Sequence, residues 1–170
     1  MLGTKLYKKK YANKEYADLS VACNQAGNLT IEDKGEYFEV VEIPAPPLEI
    51  LKEAKLQEVN TWTASKITGG FISNGVRYDS DMDTQTTMQG IALNVNTERF
   101  AKDYPHGIPV RGYDEGSTEK TIHYLTAEEV LMFCADLSEH IGRCKLDGWT
   151  MQQAVLEATT KEELDSIILD

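Results

Sequence analysis

Asn74-Gly75 separates two short apolar runs, Phe71-Ile72 before it and Val76-Arg77-Tyr78 after it. A two-residue hairpin turn of the type that matches strand twist needs φ > 0 at both central positions, which Asn-Gly supplies. The segment therefore predicts a tight antiparallel hairpin whose strands carry apolar residues to bury. Asp79, Asp81 and Asp83 follow it and open a helical pattern through Met88, Ile91 and Val95. A hairpin leading into an acid-capped helix is a compact structural unit, and nothing in it dictates a reaction.

Pro44-Ala45-Pro46-Pro47 is the strongest punctuation in the chain. Proline at this density blocks both helix and central strand and favours an extended segment. Before it, strands are expected at 5–11, 29–32 and 37–43, with Asp33-Lys34-Gly35 as a turn. A short helix at 19–25 is expected between them, capped by Asp18 and ended by Gly27. Some 45 residues is marginal for independent stability, so this unit is expected to dock on something else.

After the prolines, Leu48, Leu51, Val59 and Trp62 fall on one arc of a helix, with Leu56 and Ile67 on its flank. That stripe reads either as part of the domain's own core or as an interface with a partner or a neighbouring copy; Trp62 is the type of residue that anchors such interfaces. A second helix is predicted over 82–102, burying Met88, Ile91, Ala92 and Val95. Pro105, Gly107 and Pro109 then predict a loop, followed by a second hairpin of 110–113 against 120–125 around Asp114-Glu-Gly-Ser117. Three threonines, Thr126, Thr150 and Thr160, stand three residues before Glu129, Gln153 and Glu163. Each pair fits the capping box, in which the two side chains satisfy reciprocal backbone donors at a helix start. Val130, Cys134, Leu137, Ile141 and Cys144 mark the buried stripe of the first of these helices, which Asp147-Gly148 is expected to end. Trp62 and Trp149 both read as core anchors.

The chain carries 17 Lys+Arg against 28 Asp+Glu, a net charge of −11. That balance disfavours nucleic acid as a partner. Lys8-Lys9-Lys10, the one basic cluster, reads as a solvated strand edge. Three cysteines, Cys23, Cys134 and Cys144, without CxxC spacing suit a reducing compartment better than a disulfide framework. No run approaches the ~18 apolar residues of a membrane span, and the first residues lack the apolar stretch of a secretory signal.

Candidate chemistry is sparse. Asp79-x-Asp81-x-Asp83 begins like a calcium loop, but the glycine and glutamate that complete one are missing, so helix capping accounts for it. His106, His123 and His140 have no metal-ligand spacing. A thiol and imidazole pair, Cys134 or Cys144 with His140, is conceivable at helical spacing, yet both cysteines lie in the apolar stripe, where a thiol behaves as a small hydrophobe. No GxGxxG or GxxxxGK[ST] pattern supports nucleotide binding. No catalytic, cofactor-binding or metal residue is assigned, and no cofactor is expected.

The segments Leu48-Glu-Ile-Leu-Lys-Glu-Ala-Lys-Leu-Gln-Glu-Val59, Gly-Gly-Phe-Ile-Ser-Asn-Gly-Val-Arg-Tyr-Asp79, Leu125-Thr-Ala-Glu-Glu129 and Ala158-Thr-Thr-Lys-Glu-Glu-Leu164 resemble a small C-terminal domain of unknown function found in bacteriophage and prophage tail-region proteins. The resemblance spans about two thirds of the chain and leaves the first 45 residues unmatched. It implies a non-enzymatic tail protein, a tail-fibre or baseplate-associated assembly factor of chaperone type. The alternatives are a permanent structural subunit of the virion tail and, more remotely, an enzyme acting on host surface glycans, which needs paired carboxylates across a cleft. The implied partner is a tail-fibre or baseplate protein, with a homo-oligomer also compatible. The implied location is the cytoplasm of the bacterial host or the virion tail. The expected fold is α+β: a small β-rich unit over 1–43, a proline linker at 44–47, and a domain over 48–170 in which two β-hairpins pack with several α-helices.

Overall fold

The computed structural model describes residues 1–10 and 12–170. The fold is α+β, and the chain divides into two compact units, Met1–Pro47 and Leu48–Asp170.

In the first unit, β1 (Lys5–Tyr7), β2 (Leu29–Asp33) and β3 (Tyr37–Glu42) form an antiparallel sheet in the order β1-β3-β2. The first strand is shorter than expected and ends at Tyr7. Lys8-Lys9-Lys10 form a turn, closed by the Lys10 N–H on the Tyr7 carbonyl at 2.8 Å, rather than a strand edge. Tyr11, the expected end of that strand, lies outside the described residues. The turn between β2 and β3 closes where Asp33 accepts the Gly35 N–H at 2.8 Å. Helix α1 (Asn13–Ala26) packs on the sheet, and Cys23 and Val40 are its most buried apolar residues. Gly27 ends α1 at φ 77°, donating its N–H to the Cys23 carbonyl, as its position predicts. The expected start at Asp18 is wrong. The helix begins more than a turn earlier, where the Glu15 carboxylate accepts the Ala12 N–H at 2.8 Å. A glutamate reaching back to the chain entry does the work assigned to Asp18. Within the basic run, Lys8 pairs with Asp33 at 2.8 Å.

The second unit opens with α2 (Leu48–Thr68). β4 (Phe71–Ser73) and β5 (Val76–Tyr78) form the first hairpin, with Asn74 at φ 49° and Gly75 at φ 78° in its turn. α3 (Met82–Ala92) and α4 (Glu98–Asp103) stand where one helix was expected. The chain turns between them and restarts at Thr97, whose hydroxyl accepts the Phe100 N–H at 3.2 Å; Val95 in the turn and Phe100 in α4 are both buried. β6 (Ile108–Tyr113) and β7 (Lys120–Leu125) complete a four-stranded antiparallel sheet ordered β4-β5-β6-β7. Pro109 lies inside β6, opposite Tyr124. β5 reaches only Gly112 and Tyr113 of that strand, so Pro109 sits where β6 has no second neighbour.

α5 (Ala127–Glu157) runs unbroken for 31 residues, followed by α6 (Lys161–Asp165). Thr126 and Glu129 form the capping box at its start. Thr160 caps α6, while the Glu163 carboxylate turns to the Thr159 N–H and hydroxyl. The Thr150 cap and the Gly148 stop are contradicted: Thr150 lies within α5 and donates its hydroxyl to the Leu146 carbonyl at 2.9 Å. Gly148 is there for another reason, because α2 crosses α5 at this point and leaves no room for a side chain.

Two apolar cores hold the second unit. The larger lies between the inner sheet face and α3, α4 and α5, and is built around Phe133, which meets Phe71 edge-on at 4.8 Å and Tyr78 at 4.9 Å. The smaller joins α2, the end of α5 and α6 through Val59, Val155, Ala158 and Leu164. Ser80, fully buried, connects the end of α2 to the hairpin by donating to the Ile67 carbonyl and accepting the Gly70 N–H.

Candidate protein-binding face

Side chains alternate across a strand, so each strand of the four-stranded sheet sends half of its residues away from the core. The inward set includes Phe71, Tyr78, Ile108 and Leu125. The registers place Ile72 opposite Arg77, Arg77 opposite Tyr113, and Tyr113 opposite Lys120, so one row crosses all four strands on the outer face. Arg111 with Ile122, and Pro109 with Tyr124, extend that face. Eight outward positions thus hold three cations and no carboxylate in a chain of net charge −11.

Tyr113 organises the face. The Arg77 guanidinium lies 4.1 Å from its ring centroid and the Lys120 ammonium 5.2 Å, both within cation–π range. The Asp79 carboxylate accepts from Lys120, and that hydrogen bond holds the lysine pKa above its ordinary value, against the opposing effect of burial. The cation therefore persists at any physiological pH. Around this polar centre Ile72, Ile122 and Tyr124 are exposed by 68%, 59% and 58%. Apolar side chains beside three cations, of which among the described residues only Lys120 is paired with a carboxylate, that of Asp79, suit a polypeptide carrying apolar and acidic residues.

The four residues expected to be either core or interface are used inside the domain. Val59 is fully buried, and Leu48 and Leu51 pack against the same small core. Trp62 is half-buried and donates its indole N–H to the Asp170 carbonyl at 3.0 Å. The same stripe packs on α5 and α6, so this fold leaves Val59 no surface to offer a partner. Trp149, expected in the core, is 61% exposed; it lies on the solvent side of α5, away from the buried stripe.

The remaining candidates resolve into structural roles. Asp81 caps α3 by accepting the Thr84 N–H at 2.8 Å, Asp79 holds Lys120, and no group of three metal-ligating residues occurs among the described residues. His140 Nε2 lies 3.1 Å and 3.3 Å from the Lys66 and Ile67 carbonyls, where its N–H caps the end of α2. Cys144 Sγ lies 3.9 Å from Nδ1 of that ring. Burial, reinforced by Asp147, pushes the thiol pKa up, which works against a thiolate nucleophile. No helix among the described residues is long and apolar enough to cross a membrane.

Residues 50–168 match the family model described as Domain of unknown function (DUF4376). The chain belongs to that family. The matched span starts inside α2 and ends after α6, so the DUF4376 region takes in both cores and the whole four-stranded sheet. No curated protein and no solved structure matches the chain.

The outer face of the DUF4376 sheet was not singled out by sequence reasoning. Its signal lies in Lys-Thr-Ile-His-Tyr-Leu at 120–125. Both phases of that strand carry apolar residues, so the inward set does not account for Ile122 and Tyr124. A strand with apolar residues on both phases is a sign of something to bury on each side.

Proposed function

We propose that this DUF4376 protein is a non-enzymatic component of a phage or prophage tail region that acts by binding another protein, as a tail-fibre or baseplate-associated assembly factor. The observation that carries the binding role is the outer sheet face, where exposed Ile72, Ile122 and Tyr124 surround the cations Arg77, Arg111 and Lys120. The tail-region assignment rests on the sequence resemblance. A polypeptide with apolar and acidic side chains satisfies this face, whereas a nucleic acid must approach a strongly acidic chain. The site of action in this reading is the cytoplasm of the bacterial host.

Quantitative mass spectrometry of assembly intermediates and finished particles tests the role. An assembly factor is present on intermediates and absent from mature particles. Fixed stoichiometry in the mature particle makes the protein a tail subunit instead, and absence from both removes it from tail assembly.

A further inference from the structure

Helix α5 has a second face that the domain does not use. Its core side is marked by Val130, Phe133, Leu137, Cys144, Gly148 and Val155. On the solvent side, roughly 140° round the helix axis from the core side, Leu131, Ala135, Gly142, Leu146, Trp149 and Leu156 run along one exposed line, with Ser138 and Gln153 completing it. Leu146, Trp149 and Leu156 are each more than half exposed. The solvent side of a surface helix is normally its charged side, and Glu128, Glu139, Arg143 and Glu157 occupy part of it, yet these eight positions beside them carry no charge over 26 residues.

We propose that α5 pairs antiparallel with α5 of a second copy of this chain along that line. The spacing, 4-3-4-4-3-4-3, is that of a helix seam. About one two-fold axis near residue 144, large side chains of one copy meet small ones of the other: Leu146 faces Gly142, Trp149 faces Ser138, and Gln153 faces Ala135, while Leu156 meets Leu131. A seam matched to itself about a single axis is the requirement of an isologous dimer, and an unrelated partner does not impose it.

Gly142 supports the same assignment. Glycine inside a helix is unfavourable relative to alanine, and a Cβ at 142 meets nothing within 4 Å in the domain. The fold explains Gly148 through the close approach of Thr63, but it does not explain Gly142. Opposite Leu146 of a second copy, Gly142 is the hole that receives the knob. The seam positions themselves bring no like charges together, although each chain carries a net charge of −11. Two tryptophans contribute on the order of 300–500 Å² and six leucines roughly 60–120 Å² each. The total is on the order of 1,000 Å², the lower limit for a specific interface, so the dimer is expected to be concentration-dependent.

Sedimentation equilibrium of the full chain over a wide concentration range tests this. The mass should rise from 19.0 kDa toward twice that value, and Leu146→Glu with Trp149→Glu should hold it at one chain. Both residues are exposed, so circular dichroism should show the variant folded; Ile122→Glu on the sheet face should leave the dimer intact. Orientation is read by mixing a Leu131→Cys chain with a Leu156→Cys chain under mild oxidation. The antiparallel seam gives the mixed disulfide and neither symmetric one. A single-chain mass at every concentration, or a dimer that survives the double glutamate variant, overturns the proposal. Symmetric disulfides alone overturn the register.

Discussion

A Cβ placed on Gly148 would lie 2.3 Å from the Thr63 hydroxyl and 3.2 Å from the Thr63 Cβ. The hydroxyl is itself committed, donating to the Val59 carbonyl at 2.8 Å. Threonine is short and stiff, so it cannot swing clear, and α2 and α5 must separate to admit any side chain. Gly148→Ala should therefore destabilise the fold by about 1–3 kcal/mol as an overpacking change, although alanine is the better helix former. Gly90→Ala in α3, where a Cβ meets nothing within 4 Å, should stabilise by about 0.5–1 kcal/mol. Urea unfolding of both variants checks this, and a stabilised Gly148→Ala would contradict the close helix crossing.

The start of α5 depends on one threonine. Thr126 accepts the Glu129 N–H at 3.3 Å and gives its own N–H to the Glu129 carboxylate at 2.8 Å. Thr126→Ala should cost ~1 kcal/mol. Thr160→Ala should cost less, because α6 has five residues and lies near the chain end. Denaturant midpoints of the two variants measure the difference.

Glu129 also predicts a pH dependence. The hydrogen bond from the Thr126 N–H, and then that from its hydroxyl, hold the Glu129 carboxyl below the ordinary glutamate range, against slight burial. A depressed folded-state pKa contributes stability that is present above the unfolded value, about 4.3, and lost as pH falls through the folded value. The wild type should thus lose stability below about pH 4.3 more steeply than Glu129→Gln, which cannot titrate there. Urea midpoints measured as a function of pH for both proteins should converge in acid.

Much of the second unit was legible because its signals are local. Asn74-Gly75 specifies its turn whatever surrounds it, and Thr126 with Glu129 specifies a helix start within four residues. The failures were set by tertiary contacts. Gly148 resembles a helix stop in sequence, but the crossing of Thr63 makes it a packing glycine in mid-helix. Thr150 and Gln153 match a capping box, yet the packed face from Cys144 to Val155 carries α5 through them. The 82–102 pattern kept its apolar period while the chain turned after Ala92, because Val95 and Phe100 both reach the same core. Phe133, at the centre of the larger core, was outside the stripe drawn from Val130 and Cys134, although it is more buried than Cys134. Of the candidate site, Leu48, Leu51, Val59 and Trp62 were found as a stripe, and its use as core or interface depends on the placement of α5 and α6, which spacing cannot supply.

The family match and the folding unit make a further prediction. A fragment of residues 48–170 contains both cores and the four-stranded sheet, enough for an ordinary domain. It should unfold cooperatively on heating. A fragment of residues 1–47 should be only marginally ordered, since one helix on three short strands offers little apolar surface against the entropy of ordering. Thermal circular dichroism of both fragments decides this, and a non-cooperative 48–170 fragment would contradict the division.

The proposed binding role is tested most directly by co-expressing the protein with a tail-fibre protein from the same phage or prophage source, the partner this reading proposes, followed by affinity capture and size-exclusion with light scattering. The account predicts a complex of defined mass that is lost when Arg111→Glu and Lys120→Glu reverse the charge of the outer sheet face, while the variant remains folded. A complex that forms equally well with the reversed face, or no complex with the wild type, would contradict it.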